Sequence, residues 1–258
     1  MIGVYDSGLG GLTVLSHLRR RFPHADILYF GDTEHLPYGT RSPDLIRSYA
    51  DGAFRFFARE SVSALVVACG TVSTVALPQS RLDLGFPVVG VAEPAVAAIS
   101  VSRKKRVAVL ATSATVATGA YERMLTASVP GVSVLQIACP LFVSLVENGV
   151  TNPSDPALHM LVARTLTPCF AFRPDAILLG CTHFPVLGKV IGGLFPTAEL
   201  VDCGEAAVAS LPKTLCESGQ GRTRLCVSDS PVRFREAARH IAAIGDDAVI
   251  ETVKADRY

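Results

Sequence analysis

The sequence predicts an α/β fold of two similar α/β domains, whose mostly parallel sheets face each other across a central cleft. Short apolar runs alternate with amphipathic stretches along nearly the whole chain. The runs end in small and polar residues, as buried parallel strands do where they reach a ligand crevice. One pattern, an apolar run that stops at a cysteine, occurs at Cys69 and again at Cys181. This repetition favours two related halves with one site between them.

Length, charge and cysteine content narrow the class of protein. The 258 residues, 49% of them hydrophobic, suffice for one large core or two small ones. No apolar stretch approaches the ~20 residues of a membrane helix, and Met1 is followed by neither a basic region nor a cleavage site, so no signal peptide is expected. A formal net charge of +1 gives no reason to expect nucleic acid or a membrane as a partner. Seven cysteines without CxxC pairs or zinc-finger spacing favour a reduced cytoplasmic protein.

The alternation of patterns predicts parallel sheets joined by crossover helices. Runs rich in Val, Ile and Leu predict strands at residues 2–5, 27–30, 64–68, 88–91, 107–110, 132–137 and 176–179. Amphipathic stretches between them predict helices at residues 12–21, 45–59, 114–126, 157–172 and 186–195.

A second pair of similar segments supports an internal duplication. The segment from Gly3 to Gly11 runs from a strand into a small-residue turn, and the segment from Ala108 to Thr115 has the same form. Each precedes one of the two cysteine segments. We therefore expect a first domain of residues 1–94 plus 204–258 and a second domain of residues 95–203, because the tail has no counterpart in the second half.

Cys69 and Cys181 are the candidate catalytic groups. Each is followed by threonine and a turn, and two thiols facing one substrate suit removal of a proton from one face of a carbon and its return to the other. A helix N-terminus can lower a thiol pKa below ~8.5, as can a nearby histidine such as His183. We expect a helix beginning near Val72 to act on Cys69, and one near Pro185 on Cys181. The remaining cysteines are interpreted as small core side chains: Cys139, Cys169, Cys203, Cys216 and Cys226.

Acidic and hydroxyl side chains also occur where strands or helices end. Asp6 is either an acid/base group or an N-cap or Asx-turn for the next helix. Glu147 ends a predicted helix that Gly149 stops, where a carboxylate is electrostatically disfavoured, which favours a use elsewhere. The glycines from Gly8 to Gly11 lack a nucleotide-binding fingerprint. Hydroxyls at strand ends can form nests for carboxylates, and the candidates are Thr71, Thr112, Thr115 and Thr182.

Nine short segments, spread over nearly the whole chain, carry a family resemblance. They are Ile2-Gly-Val-Tyr-Asp6-Ser7-Gly-Leu-Gly-Gly-Leu-Thr-Val, Tyr29-Phe-Gly-Asp32, Pro37-Tyr-Gly-Thr40, Cys69-Gly-Thr71, Glu93-Pro94, Gly119-Ala-Tyr-Glu122, Ala138-Cys-Pro-Leu-Phe142, Leu145-Val-Glu-Asn-Gly149 and Leu179-Gly-Cys-Thr-His-Phe-Pro185. In this order they resemble the glutamate racemases of the cofactor-independent aspartate/glutamate racemase superfamily.

The resemblance implies a two-base mechanism without pyridoxal phosphate, metal or another cofactor. One cysteine thiolate would remove the α-proton of glutamate while the other, as a thiol, returns one to the opposite face. Cys69 and Cys181 would be these bases, assisted by Asp6, Glu147 and His183. The implied substrate-binding residues are Asp6, Ser7, Pro37, Tyr38, Gly39, Gly70, Thr71, Thr112, Thr115, Thr182 and His183.

The resemblance also implies a biological setting. The family's fold is two facing α/β domains, often assembled as a homodimer. Its product, D-glutamate, supplies peptidoglycan synthesis and so cell-wall biogenesis and cell shape. The partner expected for this chain is therefore a small amino acid, glutamate, together with a second copy of the chain.

The chain departs from the family pattern at Gly70, where the family has asparagine after its first catalytic cysteine. Loss of that amide is expected to weaken binding of the amino acid by ~1–3 kcal/mol. On this reasoning, Gly70→Asn would tighten glutamate binding. The departure concerns affinity and substrate identity more than the reaction type.

Three alternatives remain open. The chain fits an aspartate racemase or another racemase of the same superfamily, since Gly70 loosens the glutamate-specific pattern. A Cys–His hydrolase built on Cys181 and His183 is disfavoured, because residues two apart at a strand end rarely form such a pair and Cys69 would have no role. A non-catalytic member that acts by binding a partner has no reason to retain all five candidate catalytic groups.

Overall fold

Two parallel sheets form the frame of the molecule. The computed structural model describes residues 1–79, 84–102, 104–216, 219–242, 244 and 248–254. The strands in these ranges are β1 (Ile2–Asp6), β2 (Ile27–Gly31), β3 (Ala64–Val67), β4 (Val88–Gly90), β5 (Arg106–Ala111), β6 (Ser133–Ala138), β7 (Ala176–Leu179), β8 (Glu199–Asp202), β9 (Thr223–Val227) and β10 (Ile250–Thr252). The first sheet has the order β10-β9-β2-β1-β3-β4 and the second β6-β5-β7-β8. The predicted α/β class is confirmed.

Helices connect the parallel strands, as their pairing requires. The α-helices in the described ranges are α1 (Gly11–Arg21), α2 (Pro43–Arg59), α3 (Gly70–Val75), α4 (Ala92–Ser102), α5 (Ser113–Thr118), α6 (Ala120–Ser128), α7 (Pro140–Glu147), α8 (Pro156–Thr165), α9 (Thr167–Phe172), α10 (Gly188–Leu194), α11 (Cys203–Ser210) and α12 (Pro231–Ala238). Short 3₁₀ helices cover Thr33–His35, Tyr38–Thr40, Leu77–Gln79, Phe184–Leu187 and Lys213–Cys216. No helix in the described part of the chain is long and apolar enough to cross a membrane.

Local chemistry explains where the elements differ from expectation. The helix predicted at 114–126 is two helices, because Gly119 adopts a left-handed conformation with φ of 61°. The helix predicted at 157–172 also divides, since Pro168 has no N–H to continue the hydrogen-bond ladder. The stretch at 186–195 opens as a 3₁₀ helix before α10. Three short strands, β8, β9 and β10, were not predicted, since polar residues interrupt their apolar pattern.

The C-terminal part of the chain completes the first sheet. β9 pairs with β2 in parallel, with Tyr29 opposite Leu225, and β10 pairs with β9. Strands β1 and β3 are neighbours in this sheet, as β5 and β7 are in the second. The carboxyl ends of these two strand pairs carry the candidate site residues.

Apolar packing fills both sides of the first sheet. Ser42 caps the N-terminus of α2, where its side chain accepts a hydrogen bond from the Leu45 N–H. Pro43 occupies the first helical position. Its buried face brings Phe57 under the sheet, where the ring contacts Phe30 and Phe56. The sheet's opposite side joins the second sheet in one buried cluster, which contains Val4 and Val109 together with side chains of α4 and α11.

Phe57→Ala is expected to lower the free energy of unfolding by about 3–5 kcal/mol, because it leaves a cavity under the first sheet. Equilibrium urea denaturation followed by circular dichroism measures this loss. Met160→Ala is the control, since Met160 is 68% exposed on α8, and its effect should stay within ~0.5 kcal/mol. Equal effects of the two substitutions would contradict the core position of Phe57.

Candidate functional site

One cavity of about 250 Å³ lies at the carboxyl ends of β1, β3, β5 and β7. Parallel strands from both sheets therefore deliver their following residues to the same space. Most of the predicted site residues line it: Asp6, Ser7, Pro37, Tyr38, Gly39, Cys69, Gly70, Thr71, Thr112, Cys181, Thr182 and His183. Residues that line it without having been predicted are Leu36, Thr40, Ser113, Pro140, Val143 and Ser144.

The two candidate cysteines are both buried side chains of the cavity wall. Cys69 is the N-cap residue of α3, and Cys181 lies in the turn between β7 and the following 3₁₀ helix. Each is 6% exposed. Cys139, Cys169, Cys203 and Cys226 are also buried but do not line the cavity, and the side chain of Cys216 lies outside the described part of the structure.

Burial dominates the acidity of Cys69. Removal from water raises the pKa of this thiol to about 12, and the negative charge of Asp6 adds to the effect. Hydrogen bonds from Ser7 and from the Val72 N–H oppose the shift without overcoming it. The N-terminus of α3 therefore acts on Cys69 in the expected direction, through the Val72 N–H, but desolvation outweighs it and the pKa is raised.

His183 connects Cys181 to Glu147. Its Nε2 donates to Glu147 Oε1 at 2.8 Å, and its Nδ1 lies 3.8 Å from Cys181 Sγ. Burial alone lowers the pKa of His183, but the hydrogen bonds and charges of Cys181 and Glu147 outweigh it and raise the pKa to about 10. Glu147 itself lies outside the cavity wall, at the end of α7. A protonated imidazole therefore stands beside Cys181, held in position by Glu147.

Asp6 makes the contact of the predicted Asx-turn and also lines the cavity. Its Oδ2 accepts the Gly8 N–H at 3.0 Å, as in an Asx-turn, while its carboxyl faces the cavity. Gly10, rather than Asp6, is the N-cap residue of α1, so the N-cap interpretation is wrong. Burial raises the pKa of Asp6, whereas the charge of His183 and the N–H groups of Gly11 and Gly8 oppose this. The Asp6 carboxyl therefore keeps its proton to a higher pH than a free aspartic acid does.

Threonine hydroxyls form a cluster that crosses between the two sheets. Thr71 Oγ1 and Thr112 Oγ1 are 2.9 Å apart, and Thr112 Oγ1 lies 3.0 Å from Thr115 Oγ1. Thr115 is fully buried behind the other two and does not line the cavity. It orients their hydroxyls, which are exposed to whatever the cavity binds.

A buried carboxylate that sequence reasoning had not placed in the site fixes one cavity wall. Asp32 follows β2 and accepts hydrogen bonds from Tyr38 at 2.5 Å and from Ser228 at 2.7 Å. Tyr38 also bonds Tyr5 through its hydroxyl at 3.0 Å. This network holds the 3₁₀ turn at Tyr38 against the cavity. The sequence signal that could have identified Asp32 is an acidic residue just after a predicted strand, as at Asp6.

The geometry at Gly70 leaves no room for the side chain of the predicted Gly70→Asn substitution. A Cβ on Gly70 would lie 2.2 Å from the carbonyl oxygen of Gly180, a main-chain atom of the other sheet's connection. An asparagine cannot be placed there without moving the two parts of the molecule apart. The gain in glutamate affinity predicted for Gly70→Asn would therefore require such a movement.

The arrangement brings several groups that can donate or accept protons to one cavity. Two thiols, a carboxyl and an imidazole with a carboxylate partner meet at one cavity, whose remaining polar groups are mostly hydroxyls. Among the described residues, no group of three or more His, Cys, Asp or Glu side chains is placed to hold a metal ion.

Comparisons with known proteins agree with this chemistry. A family model described as Asp/Glu/Hydantoin racemase matches residues 13–211. The glutamate racemase of Gloeobacter violaceus is 40% identical and covers 92% of this chain and 91% of its own length. The crystal structure of the Francisella tularensis glutamate racemase in complex with D-glutamate has a TM-score of 0.91 and 30% identity, covering 100% of this chain and 98% of that one.

Glu147→Gln is expected to lower the pKa of His183, because it removes the negative charge that stabilises the imidazolium. Since the wild-type value of about 10 exceeds the ~6.5 of an unfolded histidine, the stability contributed by this pair is present below pH ~6.5 and lost as pH rises through about 10. Titration of the His183 ring by NMR measures the change. An unchanged midpoint in the variant would show that Glu147 does not hold the charge.

Proposed function

The chain belongs to the Asp/Glu/hydantoin racemase family, and from this premise we propose that it interconverts L-glutamate and D-glutamate without a cofactor. The observation that carries the proposal is the placement of Cys69 and Cys181 on one cavity, each just beyond the end of a parallel strand from a different sheet. Relatives that share about 40% of its residues over most of the chain are glutamate racemases.

Racemisation requires one base and one acid on opposite faces of the α-carbon. In one direction, a Cys181 thiolate breaks the Cα–H bond and takes the proton, and the Cys69 thiol gives its own proton to the other face. The products are the inverted amino acid, a Cys181 thiol and a Cys69 thiolate. The reverse reaction exchanges the two roles, and proton exchange with water restores the starting state.

The surroundings of each thiol support these roles. Burial keeps Cys69 as a thiol, the form that donates. The positive charge of His183 lies beside Cys181 and stabilises negative charge there during proton transfer. Asp6, whose pKa is raised by burial, accepts and returns the proton of Cys69 when that residue acts as the base. Glu147 keeps His183 oriented and charged.

Hydroxyls and main-chain N–H groups bind the carboxylates of the amino acid. Ser7, Thr71 and Thr182 supply hydroxyls along the cavity, and Thr112 and Thr115 orient the Thr71 side chain. The remaining assigned residues, Pro37, Tyr38, Gly39 and Gly70, shape the wall against which the substrate lies.

The wider setting follows from the proposed product. D-Glutamate made in the cytoplasm would serve peptidoglycan synthesis, and so cell-wall biogenesis and cell shape. The chain would act as a homodimer, each copy divided into a first domain of residues 1–94 plus 204–258 and a second of residues 95–203.

Circular-dichroism polarimetry of the purified protein with L-glutamate, and separately with L-aspartate, tests the proposal in reducing buffer without added cofactor. Decay of the glutamate signal toward zero supports it. Decay with aspartate alone would make the protein an aspartate racemase, and no decay with either would contradict amino-acid racemisation of this class.

Cys69→Ser and Cys181→Ser are each expected to lower glutamate turnover by several orders of magnitude, because a hydroxyl is a far weaker acid than a thiol and is a poor base in its neutral form. Cys169→Ala is the matched control, since Cys169 is buried away from the cavity, and it should retain turnover. Near-normal racemisation by either serine variant would refute the two-base mechanism.

A further inference from the structure

Two glycines bring the backbones of the two halves into direct contact beside the candidate thiols. Gly70 directly follows Cys69, and Gly180 directly precedes Cys181. A Cβ on Gly70 would lie 2.2 Å from the Gly180 carbonyl oxygen and 3.3 Å from its carbonyl carbon. Only glycine at position 70 allows this approach.

Gly180 is held in place on its own side of the contact. Its N–H donates to the carbonyl oxygen of Leu110 at 2.8 Å, which ties it to β5. A Cβ on Gly180 would lie 3.0 Å from the ring of Tyr121 and 3.1 Å from the Leu110 carbonyl oxygen. Tyr121 is fully buried in the apolar cluster shared by the two sheets, so Gly180 is closely backed on the side opposite Gly70.

Gly70 is held equally firmly within its own half. All residues of α3 are buried. The Ser73 N–H donates to the Cys69 carbonyl at 2.9 Å, and Thr74 Oγ1 donates to the Gly70 carbonyl at 2.9 Å. The first turn of α3 is therefore held by buried contacts next to β3, and a side chain added at Gly70 meets the Gly180 carbonyl unless one of the two segments moves.

We propose that the contact between Gly70 and Gly180 is the spacer that sets the separation of Cys69 and Cys181, which makes Gly70 a positioning residue. The inference rests on the proposed racemase function. Ordinary van der Waals contact begins at 3.4 Å, so a Cβ at position 70 would widen the gap by roughly 1 Å, a misplacement that can cost a reaction about a hundredfold in rate.

A larger separation between Cys69 and Cys181 affects inversion of the α-carbon more than exchange of its proton. Removal of the α-proton and its return by the same thiol needs one cysteine in reach of the carbon. Inversion needs both thiols in reach at once. A spacer defect therefore slows racemisation more than it slows exchange of the α-proton with solvent.

Gly70→Ala tests the proposal in deuterium oxide, with racemisation followed by circular dichroism and α-deuterium in the recovered L-glutamate followed by NMR. We expect racemisation to fall about a hundredfold while exchange with retention falls less, so that the ratio of exchange to racemisation rises. Gly193→Ala is the matched control, because a Cβ there meets no atom within 4 Å, and its ratio should equal that of the wild type. An unchanged ratio for Gly70→Ala, with or without loss of rate, would overturn the proposal.

Crystal structures of the wild type and Gly70→Ala separate this proposal from the proposed function. A Cys69–Cys181 separation that increases by roughly 1 Å supports the spacer even if glutamate is not the substrate, and an unchanged separation overturns it even if glutamate is racemised. Gly180→Ala perturbs the same contact with a milder clash, at 3.0 Å from Tyr121. If Gly70→Ala does not fold, the exchange-to-racemisation ratio and the Cys69–Cys181 separation are measured in Gly180→Ala. Both are expected to increase, and an unchanged ratio or separation overturns the proposal.

Discussion

The apolar core shared by the two parallel sheets is the constraint on which the rest of the molecule depends. Val4 of β1 and Val109 of β5 belong to one buried cluster, which α4 and α11 complete. Because this cluster joins both sheets to the same helices, the strand ends of both surround a single cavity. Main-chain contact at Gly70 and Gly180 then closes the two halves at the point where the thiols emerge. Packing far from the cavity thus determines distances within it.

Burial gives the cavity its chemistry as well as its shape. Ionisable groups removed from water are costly unless they are paired or change protonation, and both outcomes occur here. His183 is paired with Glu147 and stays charged, whereas burial and the charge of Asp6 raise the pKa of Cys69 and keep it protonated. The surroundings of the two thiols therefore differ, although the two cysteines occupy corresponding places in the two sheets: the His183 imidazole lies beside Cys181, and the Asp6 carboxyl acts on Cys69.

Predictions from neighbouring residues in the sequence missed features that depend on contacts with distant parts of the chain. The missing asparagine at Gly70 suggested lost binding energy, but the position faces the Gly180 carbonyl, more than a hundred residues away in sequence. A helix N-terminus next to Cys69 suggested a lowered pKa, but the depth of burial is set by the packing of both halves. Asp32 acts on the cavity wall through Tyr38, and Ser228, which follows β9, donates a second hydrogen bond to it from a distant part of the chain.

The sequence alone determined the α/β class, most strands and helices, and the candidate side chains at the strand ends, because these depend on periodicity and on which residues follow each apolar run. It placed Cys69, Cys181, Asp6 and His183 at or just beyond the ends of apolar runs, and in the structure these four residues line one cavity. Only the tertiary structure decided that burial raises the pKa of the Cys69 thiol and how closely the two halves meet. Both depend on desolvation and on contacts between residues remote in sequence, which no local pattern of side chains encodes.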